Sequence, residues 1–180
     1  MFGKRKSSPE RPHTGHELVY GDLGTGKTGL AKVTLDDDIT YRFDARVVDP
    51  FVALPEYTDR VGHFARQPDE IDELLAEMLA DTFIRAEHTA ALGMEEFDRD
   101  DDRHGLRLMS VTIEAADDVL RYARRVRMVE QTMRMSRRAG VRFRLVAPSL
   151  EVRSFGYSEL IRSTMTNSAV FRCEAAEGAA

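Results

Sequence analysis

The run Gly21 to Thr28, reading GDLGTGKT, fits the pattern G-x-x-x-x-G-K-T and constrains this chain more than any other feature. It follows the short apolar stretch Glu17-Leu18-Val19-Tyr20 and precedes a segment expected to be helical from Thr28. A glycine-rich turn between a strand and a helix directs backbone N–H groups at phosphate oxygens, and the helix N-terminus adds partial positive charge. Gly21, Gly24, Thr25 and Gly26 would form the cradle, with Lys27 as a point charge at the β- and γ-phosphates and the Thr28 hydroxyl as a ligand to Mg²⁺. The competing reading is a Gly-rich turn that precedes Lys-Thr by chance, which ordinary residue usage makes rare.

At 180 residues the chain suits one α/β domain with a proper core and is too short for two full-sized ones. Its 42% apolar and 32% charged residues are ordinary for a soluble protein, and no apolar run approaches membrane-spanning length. No transmembrane segment of its own is expected, and a cytoplasmic location is the default. A lone Cys173 permits no internal disulfide or zinc cluster, and His13, His16, His63, His88 and His104 show no ligand spacing. The net charge of −5 is unevenly spread, with acidic clusters at Asp36 to Asp38, Asp69 to Glu77 and Glu95 to Asp102. Arginines dominate the run from Arg121 to Arg144, which reads either as a solvated helix flank or as a basic face for a polyanion or a partner.

Residues 1–15 are polar, basic and Pro-containing and read as a flexible arm, with a folded domain over 16–174 and a disordered tail over 175–180. Strands are expected at Leu18 to Tyr20, Thr40 to Val48, Leu106 to Ile113, Val141 to Ala147 and Ala169 to Cys173, with a smaller one between Arg60 and Ala65. Helices are expected from Thr28 to Leu35, ending in the turn Asp36-Asp37-Asp38, from Pro68 to Leu92, from Asp117 to Ala139 and around Tyr157 to Arg162. The acidic segment Glu95 to Arg103 lacks the spacing of a calcium loop and reads as a solvated loop. Alternating strands and helices imply an α/β fold with a mostly parallel sheet covered on both faces.

A phosphate loop needs a second part, a hydrophobic strand ending in an acid that holds Mg²⁺, beside a Glu that polarises the attacking water. Leu108 to Glu114 (LMSVTIE) is the candidate. The order of parts, namely the loop, Val48-Asp49-Pro50, Glu114 with Asp118-Val119-Leu120, Arg138-Ala139-Gly140 and Pro148-Ser149-Leu150, resembles the motor domain of the FtsK/SpoIIIE/TraB family of DNA translocases. The resemblance spans roughly His16 to Glu174 and implies a RecA-like P-loop NTPase fold.

That resemblance further implies that Gly24, Gly26, Lys27 and Thr28 bind ATP with Mg²⁺ and that Glu114 is the catalytic base. It also implies action on double-stranded DNA as a homo-oligomer or as a subunit of a ring. The chain departs from the family's pattern where Ile113 replaces the Asp before the Glu, and where a polar γ-phosphate-sensing stretch is shortened to Val146-Ala147 before Pro148. Both departures point to slow or absent hydrolysis, with Asp117 or Asp118 as substitute acids only if the helix start bends back. Arg153 and Arg162 are candidates for an arginine acting in trans on a neighbour's nucleotide. The alternatives are a non-hydrolysing ATP-binding partner that regulates a true motor, a secretion-type ATPase module on the same fold, and a small-molecule kinase using Arg60 or Arg66 in a lid.

Overall fold

The computed structural model describes residues 15–174. Most of the arm expected over 1–15 and the whole tail over 175–180 lie outside the described residues.

Strand β5 (Val141–Ala147) is buried along its whole length, as its place in the middle of the sheet requires. It pairs in parallel with β4 (Met109–Ile113) on one side and β1 (Glu17–Tyr20) on the other. Strands β2 (Asp44–Val48) and β3 (His63–Ala65) extend one edge and β6 (Ala169–Arg172) the other, giving the all-parallel order β3-β2-β4-β5-β1-β6. Parallel neighbours require crossover segments, and these cover both faces of the sheet. Helix α1 (Lys27–Thr40) packs on one face, where Leu35 meets Ala45 and Val47, and Ala31 meets Val19 and Val146. Helices α2 (Pro68–Ala91), α4 (Ala123–Ala139) and α5 (Glu159–Thr166), with the short α3 (Ala116–Val119), cover the other face. There Leu18, Val111, Ile113, Phe143 and Leu145 meet Leu75, Met78, Val129 and Met133 in the main core. The expected α/β layering is therefore observed.

Local boundaries differ from the sequence reading for identifiable reasons. Helix α1 runs through Asp36-Asp37-Asp38 to Thr40 instead of stopping at Leu35, because Asp38 is fully buried against the sheet. Thr40 to Phe43 is then the helix end and a turn, with Arg42 at φ 58, so β2 begins only at Asp44. Strand β4 starts at Met109, since the Leu106 N–H is taken by His104 Nδ1 at 2.9 Å. The helix expected from Asp117 to Ala139 is broken: α3 ends at Val119, Tyr122 is extended, and α4 restarts at Ala123. The break lets Val119 and Leu120 enter the core, while Arg125 turns to Asp72 at 2.6 Å. Helix α4 stops as expected at Gly140, in the left-handed region at φ 64. The last short helix begins later than expected, at Glu159, where Ser158 Oγ caps the Ile161 N–H at 3.1 Å.

The largest departure concerns the arginines. Arg142 and Arg144 on β5 point to the α1 face and are almost completely buried, as is Arg125 on α4, so the run Arg121 to Arg144 is not one basic surface. Arg144 donates from Nε to Glu17 Oε2 at 2.6 Å and from Nη1 to Asp38 Oδ2 at 3.0 Å and Thr112 Oγ1 at 3.1 Å. Arg142 pairs with Asp38 and with Glu17 Oε1 at 3.3 Å, and Ser110 Oγ donates to Asp38 Oδ2 at 2.6 Å. The Arg142 guanidinium also lies over the Phe43 ring, 5.0 Å from its centroid. Beside it His16 is held neutral, its pKa lowered to about 4 by burial and by Arg142, and its Nδ1 accepts the Phe143 N–H at 3.0 Å.

Two guanidinium groups and two carboxylates thus balance inside the protein. Such a network adds little net stability over an apolar core, but removing one member strands the others. Asp38→Ala is expected to lower unfolding free energy by about 3–5 kcal/mol in denaturant titration, whereas Arg127→Ala on the exposed side of α4 leaves the midpoint unchanged within error.

Candidate functional site

Gly21 to Thr28 lies at the carboxyl end of β1 and leads directly into α1, the position where ligands bind open parallel sheets. Gly21 is at φ 151, and a Cβ there would collide with the Cys173 carbonyl oxygen and the Thr25 hydroxyl. Gly24 and Gly26 sit at φ 79 and φ 87 with open space around them, so their role is backbone conformation alone. Gly26 caps α1 without a side-chain hydrogen bond and no acid occupies the first turn, which leaves the positive end of the helix facing the loop. Thr25 Oγ1 donates to the Asp22 carbonyl at 2.8 Å and closes the loop. Lys27 Nζ bends back onto the carbonyls of Gly21 and Asp22, at 2.7 and 2.6 Å.

Glu114 follows β4, two strands away from β1, and is brought to the loop: Thr28 Oγ1 donates to Glu114 Oε1 at 2.8 Å. The Glu114 N–H donates to the Val48 carbonyl at 2.9 Å, which fixes the carboxylate at the rim of the sheet. Burial raises the Glu114 pKa, opposed by the Thr28 hydrogen bond and reinforced by the nearby Asp49. Asp49 itself is fully buried, and its carboxylate accepts the N–H groups of Ala53 at 2.9 Å and Leu54 at 2.7 Å, so it organises the turn after β2. The residue type of Asp49 is legible in Val48-Asp49-Pro50, but its two backbone partners follow only from the fold.

The other residues singled out in sequence fall elsewhere. Ile113 is fully buried in the main core, on the sheet face opposite α1, and does not face Thr28. Ala115 stands next to Glu114 at φ 51, ψ 57 and caps α3. Asp118 turns to Arg121 at 3.3 Å, Arg153 pairs with Glu151 at 2.6 Å, and Arg162 pairs with Glu159 at 2.8 Å. Arg60 pairs with Asp36 at 2.7 Å, and Arg66 donates to Thr58 Oγ1 at 2.6 Å. On α4, Arg124, Arg127, Arg134 and Arg138 remain exposed in one stripe at helical spacing.

The donor set fits a hard divalent cation held beside a polyphosphate. It offers one hydroxyl and one carboxylate, and Glu114 Oε2 is buried with no hydrogen-bond partner among the described residues. No cluster of three or more His, Cys, Asp or Glu ligands occurs among the described residues, so a cation here would need phosphate oxygens to complete its shell.

No protein-family model and no curated protein matches this chain. Solved structures do. The pCW3 conjugation coupling protein TcpA, in a monomer form with ATPγS, is similar with a TM-score of 0.71 at 18% identity, over 86% of this chain and 48% of that one. EssC (ATPases 2 and 3) from Geobacillus thermodenitrificans is similar with a TM-score of 0.71 at 15% identity, over 85% of this chain and 31% of that one. The cytoplasmic domain of the Thermomonospora curvata type VII secretion ATPase EccC is similar with a TM-score of 0.66 at 14% identity, over 91% and 20%. The chain spans less than half the length of each of these three. Their likeness shows a shared fold, the α/β architecture with an all-parallel sheet that the order of elements implied. No helix among the described residues is long and apolar enough to cross a membrane.

The raised pKa of Glu114 has a stability consequence. The folded state resists its ionisation, so the associated stability is complete below the ordinary value of 4.5 and is lost as pH rises through the folded value. Glu114→Gln should therefore raise the thermal midpoint of the ligand-free protein at about pH 7.5, with the gap to the native chain closing by about pH 4.

Proposed function

We propose that this chain is an ATP-binding, RecA-like motor-type module that holds the triphosphate on Gly21 to Thr28 and turns it over slowly or not at all. The observation that carries this reading is the hydrogen bond from Thr28 to Glu114 at 2.8 Å, which joins the phosphate loop to the end of β4. In this reading the first-turn amides of α1 and the loop amides bind phosphate oxygens, and Lys27 exchanges the Gly21 and Asp22 carbonyls for them. Thr28 and Glu114 would hold Mg²⁺, which would supply charge neutralisation to the phosphates.

Glu114 then stands on the metal side of the site, and the position beside it, where a base would polarise water, is Ala115. The missing acid is therefore at 115, and Ile113 belongs to the core. Asp49 is a poor substitute, because both its oxygens are engaged by the turn it organises. These features favour weak turnover and give specific support to the second reading, a non-hydrolysing ATP-binding partner of a motor. ATP titration and phosphate release test both. Lys27→Ala should weaken ATP binding by about ten- to hundredfold through loss of charge-assisted hydrogen bonds, and unchanged affinity would reject the site. Ala115→Glu should raise turnover on the order of a hundredfold if only the base is lacking. No gain would favour the non-hydrolysing partner.

The macromolecule acted on is proposed to be double-stranded DNA, in a ring or other homo-oligomer, and the support is the exposed stripe Arg124, Arg127, Arg134 and Arg138 on α4. A secretion-type module is the competing assignment, since the type VII secretion ATPase EccC shares the fold. Duplex affinity measured against salt separates them. A DNA-binding chain gives a steep slope, and replacing Arg127 and Arg134 by Ala should reduce it by about one unit each.

A further inference from the structure

The end of the sheet opposite the phosphate loop contains a cavity of about 580 Å³ at the amino ends of β2 and β4, with arginines on several walls. Arg42 enters from the α1–β2 turn, Arg60 from the segment before β3, Arg85 from α2 and Arg107 from the segment before β4. The carboxylates nearby are already engaged. Asp36 pairs with Arg60 at 2.7 Å, and Asp44, itself on the cavity wall, pairs with Arg46 at 3.1 Å.

Arg85 is 8% exposed and forms no ion pair among the described residues. It is anchored instead by main-chain carbonyls, donating from Nε to Ala139 O at 2.9 Å and from Nη2 to Arg107 O. Burial, opposed by Asp44 and reinforced by the neighbouring Arg46, pushes its pKa below the ordinary arginine value. Asp44 and Asp81 act on it only from beyond ion-pair distance, and a buried cation that bonds no carboxylate is an expensive arrangement unless an anion completes it. The side chains of Arg42 and Arg107 are exposed and make no hydrogen bond or ion pair among the described residues. Arg42 also occupies a left-handed backbone position, φ 58, where Gly or Asn would be the less strained choice.

We propose that this cavity is a second anion site, for a phosphate-bearing ligand held between the guanidinium groups of Arg42, Arg85 and Arg107. Planar guanidinium groups bind phosphate oxygens in pairs, and three of them on separate walls match a tetrahedral anion better than a flat carboxylate. Val61 and Leu106 supply an apolar wall, and the volume suits a ligand of nucleotide size. The site is separate from the Gly21 to Thr28 loop and does not depend on that loop binding ATP. The same phosphate chemistry is available from a free phosphorylated molecule or from a nucleic-acid backbone.

The test uses the full chain carrying Lys27→Ala, so that the phosphate loop contributes little, with pyrophosphate as the calorimetric probe. One saturable site is expected. Adding Arg42→Ala and Arg107→Ala should weaken it by about tenfold or more. Both replaced side chains are exposed and bond nothing among the described residues, and circular dichroism checks that the variant is folded. The Nε–H resonance of Arg85 should shift on titration in the parent and not in the double-arginine variant. Absence of saturable binding in the Lys27→Ala chain, or equal affinity after both arginines are removed, would overturn the proposal. A short duplex that displaces pyrophosphate identifies the backbone as the source of the phosphate; a duplex that does not displace it leaves a free phosphorylated ligand.

Discussion

The pairing of Arg142 and Arg144 with Glu17 and Asp38 is the interaction on which the geometry of the molecule turns. It ties three strands of the sheet centre to the helix that starts at the phosphate loop, with Ser110 and Thr112 of β4 completing the hydrogen bonds. Asp38 and Thr28 lie ten residues apart on α1, about 15 Å along a helix. Holding Asp38 against β5 therefore sets where Thr28 arrives, and Thr28 arrives at Glu114. Apolar packing of Ala31 and Leu35 alone would permit sliding of the helix, because apolar contacts are not directional. Charge-assisted hydrogen bonds at fixed donor angles do not.

The two ends of the sheet then divide the chemistry. At the carboxyl ends, loop amides, Lys27, Thr28 and one partly unsatisfied carboxylate converge, and the turns there carry the strained residues Val52 at φ 59 and Ala115 at φ 51. Such strain persists only where surrounding structure enforces it. At the amino ends of β2 and β4, Arg42, Arg60, Arg85 and Arg107 line one cavity whose wall holds Asp44, paired with Arg46. The chain's overall excess of acid conceals this, since acids cluster on α2 and in the loop from Glu95 to Asp102.

Much of the fold was legible because its signals are local. The limits of β5 and α2 follow from alternation and from Pro68 at the helix start, and the loop declares itself through glycines at left-handed positions. Glu114 was legible as an acid at a strand end. Its partner was not, because Thr28 lies 86 residues earlier in the chain. Asp38 reads, with Asp36 and Asp37, as part of an acidic turn, and Arg142 and Arg144 read as part of a basic run, either a solvated flank or a basic face; only Asp38 of the triplet is buried. The burial of Asp38, Arg142 and Arg144 escapes a local reading for one reason: a buried charge is recognisable only with its opposite in view. The spacing Arg142-Phe143-Arg144 did contain a usable signal, since period two in a central strand places both arginines on one face.

By itself, the amino-acid sequence determined a parallel α/β sheet with a glycine-rich G-x-x-x-x-G-K-T loop at the end of its first strand, since hydrophobic period, glycine conformation and capping act over a few residues. Tertiary structure decided which charges are interior, that Ile113 belongs to the core and Glu114 to the loop, and that guanidinium groups from separate segments share one cavity. Those outcomes depend on desolvation and on distances between groups far apart in the chain, which no local pattern encodes.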